Sequence, residues 1–358
     1  MKKTYIIAEA GVNHNGSLEL AKELVKVAKE AGADAIKFQT YKTETLVTKS
    51  ALQANYQVEN LGEKTSQFDM LKKLELTYKN FAELQQYCES LQIEFLSTPF
   101  DFESVDFLLD TLKINNVKIP SGELTNSPFV HYISTKQKPI ILSTGMATIE
   151  EIEEALSFIA FGLANPKKEV TYKEVQNFYK TKEAQKILNE FVTLLHCTTE
   201  YPAPFETINL NAMVEMKRKF DLTIGLSDHS QGISIPIAAV AMGAQVIEKH
   251  FTLDKKLEGP DHIASLNPDE LKEMIKSVRE VENALGNGLK HPTEIELHNR
   301  IPARKSLVAK YQIHAGEVFS KENLTFKRPG NGIPPSEYWN YIGKTAKNSY
   351  QEDELINE

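Results

Sequence analysis

Cysteine is scarce in this chain. Cys88 and Cys197 are the two among 358 residues, and they form no CxxC pair. That argues against a disulfide scaffold or a zinc knuckle and fits a reducing compartment. No apolar run approaches membrane-spanning length. The stretch MKKTYIIAEAGV starts like a secretory leader, but its apolar run is short and broken by Glu9, so a cytoplasmic protein is expected. There is no long basic run and the net charge is −8, which argues against a nucleic-acid surface. No GxGxxG follows the first apolar run, so the fingerprint of an open dinucleotide-binding sheet is missing.

What is present is alternation. Residues 5–8 are a short apolar run that ends in Glu9, Asn13, His14 and Asn15. Leu18, Ala21, Leu24, Val25 and Ala28 then recur at helical spacing as far as Gly32. Further strands are expected at 34–40, 94–99, 116–123, 139–145, 191–198, 223–229 and 245–252. Helices are expected at 81–91, 102–112, 128–136, 149–161, 210–220 and 233–242. A last helix opens on a capping box of Asn267 and Glu270, with Pro268 at its first position. Eight strand–helix units in roughly 285 residues imply an α/β fold, a closed (β/α)8 TIM barrel.

Two stretches depart from that rhythm. Residues 41–77 form a polar connection longer than a scaffold loop, as lids and binding loops often are. Residues 163–190 lie between a helix and the next strand, on the barrel face opposite an active site, and read as a peripheral, solvated surface. The barrel is expected over 1–286, followed by a polar linker at 287–300. Residues 301–358 are short runs broken by turns, a small β-rich domain. Its own core is marginal at that size, so it is expected to dock on its own barrel or a partner's.

Barrel enzymes work at the carboxyl ends of their strands. Those ends here carry Glu9, then Lys37 and Gln39, Ser97 and Thr98, Lys118, Ser121 and Glu123, and Ser143 and Thr144. His196, Thr198 and Tyr201 follow, then Ser227 and His229, then Glu248 and His250, with Asp261 beyond. Side chains two apart in a strand share a face, so Ser227 goes with His229 and Glu248 with His250. Two imidazoles at equivalent strand ends beside a carboxylate suit a divalent metal; the plain alternative is that each bonds to backbone. Two lysines and several hydroxyls converging on one mouth suit an anion such as phosphate. Against that, Lys37 or Lys118 could be structural ion-pair partners. Ser121-Gly122 and Thr144-Gly145 could be turn formers, His14 could bond locally, and His196 could be a satisfied core histidine. Glu9, Glu123 and Asp261 could serve as acid, base or sugar-hydroxyl anchor.

The stretches IIAEAGVNHNGS, KFQT, FLSTPF, KIPSGE, ILSTGM, HCTTEYPAPF, GLSDHS, VIEKHFTLDK, GPDH and KRPGNG resemble the sialic acid synthases. That family comprises the bacterial N-acetylneuraminate synthases and their relatives for legionaminate and pseudaminate. The stretches run in order through nearly the whole chain and leave mainly 163–190 uncovered. The resemblance implies a TIM barrel followed by an antifreeze-like (SAF) domain, the two working across a homodimer. It implies metal-dependent condensation of phosphoenolpyruvate with N-acetylmannosamine to N-acetylneuraminate and phosphate. The close alternative is N,N'-diacetyllegionaminate made from 2,4-diacetamido-2,4,6-trideoxymannose.

Under that resemblance His229 and His250 hold Mn2+ or another divalent cation such as Mg2+ or Co2+. Glu248 stands behind the metal or orients a bound water. Lys37, Lys118, Ser121, Ser143 and Ser227 hold the phosphate and carboxylate of phosphoenolpyruvate. Glu9, Gln39, Tyr201 and Asp261 hold the open-chain sugar, and Arg328 reaches the N-acetyl group from the other subunit. Glu9, Glu123 and Lys118 are the candidate catalytic groups, with Glu9 or Glu123 helping the water that adds. Thr199 stands where some members carry asparagine. Two rivals from other classes are a metal-free Schiff-base aldolase, which needs a lysine of depressed pKa, and a binding or ice-contacting protein. Lysines set among hydroxyls and carboxylates argue against the first. The burial cost of so many strand-end polar groups argues against the second.

Overall fold

The computed structural model describes residues 3–62 and 65–358. The chain divides into two compact units, Met1–Gly286 and Asn287–Glu358. In the first unit β1 (Tyr5–Gly11) leads into α1 (Leu18–Ala31). Ser17 caps that helix by accepting from Leu20 N, and Gly32, at φ 89°, ends it. After β2 (Ala35–Thr40), the long polar connection folds into α2 (Thr43–Leu46), α3 (Asn55–Leu61) and α4 (Gln67–Leu74). Val12, Tyr41, Met70 and Leu74 give this excursion a small core of its own. Glu63 and Lys64, within the expected lid, lie outside the described residues.

The alternation then resumes with α5 (Tyr78–Leu91), β3 (Glu94–Pro99) and α6 (Phe102–Asp106), which continues as a π-helical turn over Phe107–Thr111. β4 (Val117–Ile119) is shorter than the expected 116–123, because Pro120 has no amide to continue the ladder and Ser121–Glu123 turn into a 3-10 segment. Next come α7 (Ser127–Thr135), β5 (Ile140–Ser143) and α8 (Ile149–Ala164). The insert at 163–190 is not simply a solvated surface. It forms α9 (Tyr172–Tyr179) and α10 (Lys182–Phe191), which bury Val175, Ala184 and Leu188. The barrel finishes with β6 (Val192–Cys197), α11 (Phe205–Ile208), α12 (Asn211–Phe220), β7 (Thr223–Asp228), α13 (Ser234–Ala241), β8 (Val246–His250) and α14 (Pro268–Ala284).

All eight strands lie in one parallel sheet in the order β3-β2-β1-β8-β7-β6-β5-β4, with the end strands β3 and β4 packed side by side, as a closing barrel requires. The period of two then decides what lines the inside. Ile7, Ala35, Leu96, Ile141, Leu195 and Val246 form a separate apolar layer. Two residues further along the same strands stand Glu9, Lys37, Thr98, Ser143, Cys197 and Glu248. On β7 the apolar level is held by Gly225, where an added Cβ would come within 2.4 Å of Val246 O. Two residues beyond the polar level come Gly11, Gln39, Gly145, Thr199, His229 and His250. The barrel is thus closed by hydrocarbon below and opens upward through two tiers of polar groups.

In the second unit α15 (Glu294–Ala303) occupies part of the stretch expected as linker. β9 (Ser306–Ala309) pairs antiparallel with β10 (Leu324–Lys327), and isolated bridges such as Ile313 with Tyr350 extend the β character. Leu307, Ile313, Phe319, Leu324, Tyr350 and Ile356 are among the residues that make its core, and α16 (Tyr338–Tyr341) packs on it through Tyr338 and Tyr341.

Candidate active site

Strand register brings the first charged groups together. Glu9 is the cross-strand neighbour of Lys37 on β2 and of His250 on β8, and Glu248 is the neighbour of Ser227 on β7. Lys37 Nζ lies 2.8 Å from Glu9 Oε2 and 3.7 Å from Glu248 Oε2, and donates to Thr98 Oγ1 at 3.0 Å. Lys118 Nζ donates to both oxygens of Glu248, at 2.8 and 2.9 Å, and Ser227 Oγ donates to Glu248 Oε1 at 2.9 Å. All four charged side chains are buried, so two ammonium and two carboxylate groups neutralise one another in the second tier. Burial pushes Glu9 up to about 7 against the pull of Lys37. Glu248 pays the same burial penalty, but Lys118 and Lys37 outweigh it and hold its carboxyl well below the usual range. Burial, with repulsion from Lys37, pulls Lys118 down.

The hydroxyls lie beside this ring. Ser143 Oγ and Thr199 Oγ1 are buried with no hydrogen-bond partner among the described residues. Ser121 Oγ accepts from Gly145 N at 2.8 Å and sits 3.8 Å from Cys197 Sγ. An added Cβ at Gly145 would come within 2.4 Å of Thr199 Oγ1 and 2.9 Å of Ser121 Oγ. Two orphaned hydroxyls in the polar tiers are available as donors to an anion.

The histidines occupy the third tier. His229 Nδ1 donates to Thr198 O at 2.6 Å, which leaves Nε2 as the lone-pair nitrogen, with Ser227 Oγ at 3.5 Å. The His250 ring centroid is 5.4 Å from that of His229, and His250 Nδ1 is buried without a partner among the described residues. Tyr201 stacks on His229 with centroids 4.0 Å apart and meets His250 edge-on at 5.5 Å. A Cβ at Gly11, where φ is +52°, would stand 3.3 Å from both Glu9 Oε1 and His250 Cε1, and 3.5 Å from Gln39 Nε2. Those three side chains therefore converge on Gly11. Asp261 is buried, its carboxyl pushed up to about 6 by burial and pulled back by His229. Among the described residues no three His, Cys, Asp or Glu side chains form a ready-made metal cage. Two imidazoles, one tautomer-fixed and one with an orphaned nitrogen, still fit a divalent ion that takes its other ligands from water or substrate.

Not every expected residue joins this cluster. Glu123 is half-buried in a cleft with Phe102 and Phe129, and its Oε2 accepts from Asn126 at 2.8 Å. His196 is satisfied by Ile208 O at 2.5 Å. Arg328 belongs to the second unit, where it is exposed and pairs with no acidic group among the described residues. The sequence reading also passed over several groups. Asp228 pairs with Lys249 at 2.5 Å and bonds Ser230, all fully buried. His262 bridges Thr252 Oγ1 at 2.7 Å and Asn15 Oδ1 at 3.1 Å, fixing the loop that bears Asp261. Asn60 and Tyr56 of α3 touch the Tyr201 loop. The GPDH and NHN spellings were a signal for His262 and Asn15. Nothing in the local sequence signalled Asn60, whose partners are backbone carbonyls.

Residues 24–290 match the NeuB family, and residues 304–358 match the SAF domain. The chain is 50% identical over 358 residues to the N,N'-diacetyllegionaminic acid synthase of Campylobacter jejuni, covering all of both chains. It is 46% identical to the protein of the same name from Legionella pneumophila, over 95% of this chain and 89% of that one. Its fold is similar to the crystal structure of an N-acetylneuraminic acid synthetase from Leptospira borgpetersenii, with a TM-score of 0.66 and 32% identity, over 83% of this chain and 90% of that one. Among the described residues no helix is long and apolar enough to cross a membrane. The chain belongs to the NeuB family of sugar-acid synthases and carries a SAF domain after its barrel.

Proposed function

We propose that this enzyme is an N,N'-diacetyllegionaminic acid synthase, condensing phosphoenolpyruvate with 2,4-diacetamido-2,4,6-trideoxymannose. The sequence reading placed N-acetylmannosamine first. The observation that reverses that order is the end-to-end 50% identity to a protein of the diacetamido type.

The polar tiers suit the chemistry. Lys37, Lys118, Ser121, Ser143 and Ser227 hold the phosphate and carboxylate of phosphoenolpyruvate, and the unpartnered Ser143 hydroxyl is a ready donor. Gln39, Tyr201 and Asp261 surround the open-chain sugar, with its aldehyde toward the histidines. His229 and His250 would hold a divalent cation, manganese first, which when bound supplies Lewis acidity at the aldehyde oxygen. C3 of phosphoenolpyruvate attacks the aldehyde carbon, its π electrons form the new C–C bond, and C2 becomes cationic. Water adds at C2 and gives up one proton, while the former aldehyde oxygen takes up a proton and becomes the new hydroxyl. The C2–O bond to phosphorus then breaks, its electron pair leaves with inorganic phosphate, the added oxygen releases its second proton to solvent, and a 2-keto acid remains. Glu9, in the ring beside Lys37, receives the first of the water's protons, whereas Glu123 is bonded to Asn126. Arg328 reaches the acceptor's acetamido group from a partner subunit in a homodimer.

The test is phosphate release from phosphoenolpyruvate with manganese, offering the diacetamido sugar and N-acetylmannosamine in parallel. Preference for the first supports the proposal. Preference for the second restores the N-acetylneuraminate reading, and release that survives a chelator removes the metal.

A further inference from the structure

We propose that Asn60 is a positioning residue for the acceptor half of the site, tying together the two loops that present Tyr201 and Asp261. The inference rests on the reading of those two residues given above. The Asn60 side-chain amide donates 3.1 Å to Tyr201 O and 2.7 Å to Pro260 O. One acceptor belongs to Tyr201 itself and the other immediately precedes Asp261. A primary amide carries two donor hydrogens, and here both are spent on carbonyls that follow different barrel strands, β6 and β8. Aspartate has the same size but no donor, and glutamine has both donors on a longer stem.

A second contact comes from one helical turn earlier. Tyr56 lies on the same face of α3 and packs against Tyr201 with ring centroids 5.0 Å apart. Tyr201 in turn stacks on His229. The helix therefore grips Tyr201 twice, by its ring and by its carbonyl. No residue of α3 is fully buried, so the helix adds little to the core and its side chains are free to serve the site. Lys37, Lys118 and Ser227 make their contacts within the barrel, and none of those contacts passes through α3. Loss of Asn60 should loosen the sugar side and spare the phosphate side.

The experiment uses the full-length enzyme with manganese and compares wild type with Asn60→Ala, Asn60→Asp and Asn60→Gln. Phosphate release is followed while each substrate is varied, and amide hydrogen exchange is followed in the absence of substrate. Asn60→Ala should raise the acceptor KM about ten-fold, the loss of roughly two modest hydrogen bonds, with the phosphoenolpyruvate KM moved less than about two-fold. Asn60→Asp should be at least as impaired, and Asn60→Gln should recover part of the loss. Exchange should quicken at residues 199–205 and 258–263 and stay unchanged in the barrel strands. Unchanged exchange in those loops overturns the inference whatever the kinetics show. An active Asn60→Asp with wild-type acceptor KM, or both KM values rising together, overturns it as well. If wild type turns over neither sugar, the functional reading fails, and the exchange data still decide whether Asn60 ties the loops.

Discussion

Lys118 Nζ donates to both carboxylate oxygens of Glu248, at 2.8 and 2.9 Å, across 130 residues of chain and in full burial. The pair is worth more broken than whole as a diagnostic. Removing one member of a buried ion pair costs about 3–5 kcal/mol because the other charge is stranded, whereas replacing both with apolar groups is far cheaper. Glu248→Ala should therefore cost several kcal/mol in urea unfolding, and the double change Lys118→Met with Glu248→Leu should cost less than that single one. Equal costs would mean that the two charges do not compensate each other. Activity should be lost in both, which separates the reason for keeping the pair from its effect on stability.

That pair also marks where reading the sequence stops. Alternating strand and helix signals place all eight strands, and counting by two from Ile7 or Val246 puts Glu9 and Glu248 inside the barrel. Which lysine meets which glutamate depends on register between strands distant in sequence, and no local pattern encodes it. Pro120 ends β4, and Glu123 lies in the 3-10 segment beyond it with Asn126 as its partner. The connection at 41–77 reads in sequence only as a long polar stretch, because its apolar positions, Met70 and Leu74, pack on Val12 and Tyr41 rather than on the main core. The histidine pair was legible because both imidazoles fall at strand ends, four residues beyond Gly225 and Val246.

Stability should fall on mild acidification. His14 and His262 are buried, and burial pushes each imidazole down to about 4. The unfolded chain takes up these protons near its ordinary value of about 6.5, so between about pH 6.5 and about pH 4 the unfolded state binds more protons than the native one. The stabilisation is complete above about 6.5 and is lost as pH falls toward 4, by up to roughly 3 kcal/mol for each group. Urea unfolding at about pH 7 and about pH 5 measures it, and His262→Gln should flatten part of the slope. An unaltered slope in that variant would rule His262 out as a source.

The cradle proposed for the enol phosphate has a steric signature at Gly145. A methyl group there would stand 2.4 Å from Thr199 Oγ1 and 2.9 Å from Ser121 Oγ, forcing both hydroxyls to move. Hydrogen bonds to a charged group contribute about 1.5–3 kcal/mol each. Gly145→Ala should thus raise the phosphoenolpyruvate KM ten- to a hundred-fold, by rough conversion, with a smaller change for the sugar. The converse pattern would place the hydroxyls on the acceptor side.

The outer face of the same strands makes a separate prediction. Lys249 alternates with Glu248 and His250 and so points away from the barrel interior, where its ammonium meets Asp228 at 2.5 Å and the Ser230 carbonyl. Both side chains are fully buried, and Asp228 also accepts from Ser230 N and Oγ at 3.0 Å. Asp228→Ala should cost about 3–5 kcal/mol in stability, since it strands the ammonium. The protein that remains folded should keep near-normal KM values, because no group of the inner tiers loses a partner. A variant of normal stability, or one whose KM values shift strongly, would place Asp228 in the site.

Metal binding can be judged without turnover. His229 Nδ1 is held by Thr198 O at 2.6 Å, so its Nε2 is the nitrogen left to coordinate, and the buried His250 Nδ1 has no partner among the described residues. A ligand that binds the native state alone stabilises it by about 2.7 kcal/mol at a hundred times its dissociation constant. For a chain of this size that corresponds to a rise in Tm of about 4 °C. Manganese should produce such a rise in wild type, a chelator should reverse it, and His229→Gln and His250→Gln should each lack it while keeping a cooperative melt. A shift of the same size in either variant would move the metal away from these histidines. The absence of any shift in wild type would remove the metal from this pair of imidazoles.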